Sequence, residues 1–129
     1  MISKTSEYAL SALVCLATQS ERSLTAREIA QSTGMPEGYL AKVLRTLARL
    51  GIVRSRRGPA GGFTLSRSAE EMDLIDVIRS IEPRRQHPEA EGAGVLAALK
   101  NRIERAANAE LACFSGVTLA ELLPSESPT

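Results

Sequence analysis

The feature that most constrains the fold of this chain is a glycine-rich run, Gly58-Pro-Ala-Gly-Gly62, set between two short apolar segments. The segments 52–57 and 63–67 contain Ile, Val, Phe and Leu and are bounded by glycine and proline, which is typical of two strands joined by a turn. Elsewhere the apolar residues recur at helical spacing. The sequence therefore predicts a mainly α-helical fold that carries one small β-hairpin.

Periodicity and capping residues place the predicted helices. Thr25-Ala-Arg-Glu28 is a capping box, Gly34 and Gly51 supply left-handed helix ends, and Pro36 suits a first helical position because it lacks an N–H. The predicted helices cover about 5–18, 25–33, 36–50, 73–81 and 93–113, and a short last helix is capped by Thr118.

Composition excludes several classes of protein. A chain of 129 residues that is 43% hydrophobic and 24% charged can build one globular core. No apolar run approaches the roughly 20 residues that span a bilayer, and residues 1–16 lack a signal-peptide pattern, so we expect a cytoplasmic protein with no membrane partner. The two cysteines, Cys15 and Cys113, and the single His87 exclude a disulfide scaffold and an all-cysteine metal cluster within one chain.

The net charge of +1 conceals an uneven distribution. Residues 1–67 contain ten Lys or Arg and four Glu, a balance of +6, whereas residues 68–129 contain six basic and eleven acidic residues, a balance of −5. A basic half joined to an acidic half indicates a polyanion-binding surface on the first half. The alternative is that these charges only solvate helices.

A short helix, a glycine-containing turn and a longer helix form the helix-turn-helix pattern. In the longer helix the apolar residues occupy one face, and Lys42, Arg45 and Arg49 occupy the opposite face. Gly38 and Ala41 beside the basic face are small, which allows a close approach to a groove. This pattern predicts a recognition helix for the major groove of double-stranded DNA.

Residues near the N-terminus of a recognition helix usually meet base edges, and later residues usually meet phosphates. Tyr39 has a second interpretation, because it borders the apolar face and could pack in the core instead. The start of the preceding helix, with Thr25 and Arg27, is another expected phosphate contact. The expected base contacts are Glu37, Gly38, Tyr39 and Lys42, and the expected phosphate contacts on this helix are Arg45 and Arg49.

The hairpin adds a second basic element. Arg54, Arg56 and Arg57 crowd the end of its first strand. Gly61 and Gly62 permit a tight turn, and an arginine on such a loop can enter a narrow minor groove. A nucleotide-phosphate loop is the rival interpretation, but no Lys-Ser or Lys-Thr follows the glycines and the next segment is a strand.

These residues also carry a family resemblance. The chain resembles the IscR/NsrR/CymR-type (Rrf-two) bacterial winged-helix transcription regulators over nearly its whole length, and 57–63 is the most specific piece. The resemblance implies a homodimer on an inverted DNA repeat, with helix 36–50 in the major groove and Arg57 in the minor groove. The matching segments are 6–10, 29–30, 39–44, 50–55, 57–63, 76–78 and 117–122.

The resemblance divides the chain into a winged helix-turn-helix DNA-binding domain at 1–82, a linker at 83–92, a dimerisation helix with a short terminal helix at 93–123, and a tail at 124–129. The long apolar stripe of the dimerisation helix favours a second copy as its partner, although packing within one chain is the alternative. The residues expected at the dimer interface are Leu96, Leu99, Ile103, Ala106 and Leu111.

Many such regulators hold an iron–sulfur cluster on three closely spaced cysteines before the long helix, yet 82–92 contains no cysteine. We therefore expect no cofactor and no metal site, since a cluster shared between subunits would need Cys113, His87 or Glu7 to converge. His87 is expected to be solvated and Cys15 to be a core residue. Cys113 has two interpretations, a core or interface residue and a redox-active thiol.

The resulting hypothesis is a transcription repressor that binds a specific DNA sequence as a dimer. It is expected to respond to an unknown small-molecule or protein effector. Two alternatives remain open: control by a partner protein or by Cys113 oxidation, and a winged helix that binds protein rather than DNA. An enzyme is not expected, because no nucleophile–base pair, carboxylate pair or metal-binding group of residues is visible.

Overall fold

The computed structural model describes residues 2–59, 61–82 and 94–124. The described residues form helices α1 to α5 and several short elements. A two-stranded hairpin follows α3, one 3₁₀ helix precedes α4, and another follows α5. Among the described residues, none of the helices combines the length and apolar character needed to cross a membrane. The elements are α1 Lys4–Thr18, α2 Ala26–Thr33, α3 Glu37–Arg49, β1 Val53–Arg56, β2 Gly62–Leu65, the first 3₁₀ helix Ala69–Glu71, α4 Leu74–Ile81, α5 Val95–Ala112 and the second 3₁₀ helix Leu119–Leu122.

Local capping chemistry explains most helix boundaries. Thr25 and Glu28 form the predicted capping box at the start of α2. Gly34 and Gly51 have φ values of 75° and 77°, the left-handed backbone that ends α2 and turns the chain after α3. Pro36 differs from the prediction: its ψ of 126° places it outside α3 as the N-cap, where its carbonyl accepts the Leu40 N–H.

One apolar core joins the first four helices and the hairpin. Its fully buried members include Leu13 of α1, Ile29 of α2, Leu44 of α3 and Leu74 of α4. Leu119 of the second 3₁₀ helix belongs to the same core, and its N–H donates to the Met72 carbonyl at 2.8 Å. The chain therefore returns to the core after α5, while the division into domains stays a prediction.

The hairpin is attached to the helix-turn-helix unit by backbone hydrogen bonds. Its strands are antiparallel, with Val53 opposite Leu65 and Arg56 opposite Gly62. The Phe63 N–H donates to the Leu24 carbonyl at 2.7 Å, and the Leu24 N–H donates to the Phe63 carbonyl at 3.0 Å. The segment before α2 thus acts as a third, one-residue strand. This arrangement confirms the predicted winged helix-turn-helix fold with a long helix after it.

Helix α5 stands apart from the core, and none of its residues is buried. Leu96, Leu99 and Ile103 are 65%, 53% and 48% exposed. Such a row of large exposed apolar side chains on one helix is unusual for a surface that meets only water.

Candidate nucleic-acid interface

Helix α3 presents the two faces that the sequence predicts. Leu40, Leu44 and Leu47 are fully buried against the core. Lys42, Arg45 and Arg49 are exposed on the other side. Because the apolar face fixes the rotation of the helix about its axis, all three cations point away from the core. The basic face of α3 therefore lies on the outside of the fold.

The N-terminal turn of α3 is open. Glu37 and Gly38 are exposed, and a Cβ built on Gly38 would meet no atom within 4 Å. Glycine in a helix costs stability relative to alanine, by about 0.5–1 kcal/mol. Among the described residues no atom would contact a side chain at position 38, so the surface of α3 is open to another molecule there.

Tyr39 lies between its two predicted interpretations. Its ring makes an edge-to-face contact with Tyr8 of α1, with centroids 5.1 Å apart. Its hydroxyl oxygen lies 2.6 Å from Oγ1 of Thr5, and 38% of the residue remains exposed. Tyr39 thus contacts α1 on one side while its other side stays accessible beside Gly38.

At the start of α2, Arg27 is exposed but Thr25 is already engaged. The Thr25 hydroxyl accepts from the Glu28 N–H at 3.1 Å, and the Thr25 N–H donates to the Glu28 carboxylate at 3.3 Å. The Thr25 N–H and the guanidinium of Arg22, 2.8 Å away, hold the pKa of the Glu28 carboxyl below its ordinary value. An ionised carboxylate beside the predicted phosphate contact weakens its attraction for an anion.

The wing, defined as β1, β2 and their turn, carries arginine on its outer face. Because side chains alternate along a strand, Arg54 and Arg56 point to the face opposite buried Val53. Arg57 is exposed where the turn begins. The backbone packs closely here, since a Cβ on Gly61 would lie 2.6 Å from the Arg56 carbonyl oxygen.

An open groove of about 760 Å³ joins the end of α3 to the outer face of the wing. Arg54, Arg56 and Arg67 line it together with Ala48 and Gly51. Arg67 was not among the predicted contacts, because it follows β2 in sequence and lies outside the turn of the hairpin. The fold of the hairpin brings Arg67 to the same groove as Arg54, which no local sequence pattern predicts.

In the part of the chain that the structure describes, no carboxylate forms an ion pair with the cations of α3 or the wing. Within 2–59, 61–82 and 94–124, the ion pairs are Lys4–Glu7 at 3.9 Å and Arg22–Glu28 at 2.8 Å. Neither involves α3 or the wing. We define the basic surface as the exposed basic face of α3 together with the wing: Lys42, Arg45, Arg49, Arg54, Arg56 and Arg57.

The side chains of this sequence do not fit an iron–sulfur cluster. Such clusters require several thiolate ligands, whereas the chain has two cysteines. Cys15 packs against the core in α1, and Cys113 is exposed at the end of α5. His87 lies outside the described residues. Across the described part of the chain, no three His, Cys, Asp or Glu side chains are grouped to hold a metal ion.

Comparison with protein families gives the class of protein. The family model Rrf2, described as an iron-dependent transcriptional regulator, matches residues 2–125. The chain belongs to the Rrf2 family of transcriptional regulators. Within the described residues, no group of His, Cys, Asp or Glu side chains could hold the iron named in that description.

Relatives by sequence carry compatible descriptions. A candidate HTH-type transcriptional regulator of Aquifex aeolicus is 38% identical over 78 residues, 60% of this chain and 54% of that protein. An rrf2-like regulator of Rhodobacter capsulatus is 35% identical over 64% of this chain and 57% of that protein, so these two matches span little more than half of each relative. The protein aau3 of Rhizobium meliloti is 31% identical over 95% of this chain and 84% of that protein.

Solved structures share the fold. CymR of B. subtilis, titled a global cysteine regulator, is 29% identical with a TM-score of 0.71 and covers 95% of both chains. The oxidised form of Staphylococcus aureus CymR is 26% identical with a TM-score of 0.73, covering 100% of this chain and 99% of that one. T. potens IscR, at 24% identity and a TM-score of 0.73 over 95% of this chain and 85% of that one, supports the fold alone.

Proposed function

We propose that this protein is a sequence-specific DNA-binding transcription repressor that reads a palindromic operator as a homodimer. The observation that carries the proposal is the basic surface, whose cations face outwards and form no ion pair with a carboxylate of the described residues. A major groove admits one α-helix, and α3 has a glycine at its exposed N-terminal turn. Membership in a family of transcription regulators supports the same reading.

In this proposal the N-terminal turn of α3 meets the base edges and the remaining cations meet phosphate. Glu37, Gly38, Tyr39 and Lys42 are the base-reading candidates. Arg45 and Arg49 hold phosphates on the same helix, and Arg57 enters the minor groove. Thr25 and Arg27 of α2, the wing arginines Arg54 and Arg56, and the backbone of Gly61 and Gly62 supply further contacts to the DNA backbone.

The homodimer is proposed from α5. Leu96, Leu99, Ile103 and Ala106 follow spacings of three, four and three residues, which aligns them in one exposed row. Leu111 is half-buried and lies about 60–140° around the helix axis from the four residues of that row, so it contributes at its edge. Two-fold pairing of two such rows buries apolar surface and matches a palindromic operator.

Salt dependence of DNA binding tests the proposal. If six to eight cations per dimer neutralise phosphates, log K falls with log salt with a slope of about −5 to −7. The measurement is a titration of labelled DNA selected from a random pool, at several salt concentrations. Affinity that does not change with salt would contradict the proposal.

The dimer has its own test with a matched control. Ile103→Glu places a charge in the exposed row and should convert the protein to monomers in analytical ultracentrifugation. Asn101→Glu adds the same charge on the opposite side of α5 and should leave the dimer intact. If both variants sediment like the wild type, α5 is not the interface.

The open alternatives predict different results. A winged helix that binds only protein would not need the basic surface. In that case the double substitution Arg45→Glu and Arg49→Glu would leave the binding of the protein partner unchanged. Control through Cys113 predicts that mild oxidant changes operator affinity of the wild type and not of Cys113→Ser. Cys113 is exposed, and its thiol donates to the Ala109 carbonyl at 3.5 Å.

A further inference from the structure

We propose that the first turn of α1 couples the end of α4 to the recognition helix α3, with Glu82 and Tyr39 as positioning residues at its two sides. This inference rests on the proposed function, because α3 is called a recognition helix there. Its evidence is a set of hydrogen bonds that join residues 3–8 to Glu82 and to Tyr39. No local sequence pattern predicts these bonds.

The first side of this turn is a carboxylate contact. Oε1 of Glu82 accepts from the Ser6 hydroxyl at 2.6 Å and from the Ser3 N–H at 3.0 Å. Ser6 is the buried polar residue of the described core, with no exposed surface. Glu82 therefore places a carboxylate at the N-terminus of α1, where the helix dipole and the free N–H groups favour negative charge.

The second side of the same turn holds α3. The Thr5 hydroxyl and the Tyr39 hydroxyl share a 2.6 Å hydrogen bond, and the Tyr8 ring meets the Tyr39 ring edge-on. Tyr39 is the third residue of α3, in the turn proposed to read bases. A shift of residues 3–8 consequently changes the contacts of Thr5 and Tyr8 with Tyr39, which hold the base-reading turn in place.

Glu82 is the C-cap residue of α4, so its carboxylate joins the end of that helix to the first turn of α1. Release of Glu82 from Ser6 would loosen the first turn of α1 and with it Tyr39, so sequence-specific affinity falls while phosphate contacts persist.

The chain offers an internal probe for this coupling. It contains no tryptophan and two tyrosines, and both tyrosines lie in the α1–α3 contact. Tyrosine fluorescence and the tyrosine bands of near-UV circular dichroism therefore report on this contact, with no label and no DNA. Far-UV circular dichroism on the same samples confirms that each variant remains folded.

Glu82→Ala removes the carboxylate and should change the tyrosine signal. It should weaken selected-operator binding about three- to tenfold, the range for losing the single hydrogen bond by which Thr5 supports Tyr39. Glu82→Gln keeps an acceptor oxygen and should restore both. Ser6→Ala tests the same contact from α1. Combined with Tyr39→Phe, Glu82→Ala should cause less than the product of the two single losses, because both act through one element.

The outcomes separate this inference from the proposed function. An unchanged tyrosine signal in folded Glu82→Ala overturns the coupling. A changed tyrosine signal with unchanged operator affinity overturns it too, and so does a double variant whose loss of affinity equals the product of the two single losses. If the wild type binds no DNA, the proposed function fails, and the tyrosine signal still decides whether Glu82 positions α3.

Discussion

Replacing Gly62 by alanine tests how the wing is attached. Gly62 has a φ of 143°, and an ideal Cβ on it would lie 2.6 Å from both the carbonyl carbon and the oxygen of Leu24. The same backbone carries the two hydrogen bonds that join Leu24 to Phe63. An alanine at position 62 therefore has to separate the wing from the segment before α2.

The cost follows from these two terms. A non-glycine residue in this backbone region costs about 1–3 kcal/mol. Two lost hydrogen bonds cost about 0.5–1.5 kcal/mol each. The total is about 4 kcal/mol, which is a large fraction of the 5–15 kcal/mol typical of small domains. For a chain of 129 residues this corresponds to a fall in Tm of about 12–20 °C.

Gly58→Ala is the matched control. Gly58 also has a positive φ, 107°, but a Cβ there would meet no atom within 4 Å. Its substitution carries only the backbone cost, about 2 kcal/mol. Both free energies of unfolding are measured by urea denaturation followed by far-UV circular dichroism. Equal destabilisation of the two variants would refute the argument that contact with Leu24 is what excludes a side chain at position 62.

Three further predictions concern α3, the wing and α1. Gly38→Ala should stabilise the fold by about 0.5–1 kcal/mol and yet weaken operator binding, and a variant that gained both stability and affinity would contradict a close approach of α3 to DNA. Arg57→Ala should weaken binding mainly to operators with A·T-rich flanks, whereas Arg67→Ala should weaken binding to all sequences alike, as competition assays with different flanks would reveal. Partial burial raises the pKa of the Glu82 carboxyl, but the hydrogen bonds from Ser6 and Ser3 outweigh it and hold the pKa below its ordinary value. Because a lowered pKa stabilises the ionised folded state, the stability advantage of the wild type over Glu82→Ala should be present above about pH 4.5 and disappear as the pH falls below it, in unfolding free energies measured from about pH 7 to about pH 3.

Local chemistry made most of the fold predictable. The capping box of Thr25 and Glu28, the left-handed glycines and the alternation of the wing are all properties of neighbouring residues. The basic face of α3 was predictable for the same reason, because helical periodicity assigns Lys42 and Leu44 to different faces.

The contacts that could not be predicted join distant parts of the chain. Ser3 and Glu82 are 79 residues apart, and Thr5 and Tyr39 are 34 residues apart. Leu119 follows an exposed helix, so its burial in the core depends on the path of the chain after α5. Such pairs are determined by packing of whole elements, which a pattern within one element does not encode.

Because α5 lies apart from the core, the occupancy of an operator depends on the concentration of this protein in a particular way. Since no residue of α5 is buried, the core does not need a partner for its apolar surface, unlike obligate dimers that have no stable folded monomer. Folded monomers that bind DNA only as pairs would occupy an operator in proportion to the square of their free concentration. A twofold rise in the amount of this protein would then raise occupancy about fourfold at low saturation. Expression level would itself act as a regulatory input, even with no effector bound.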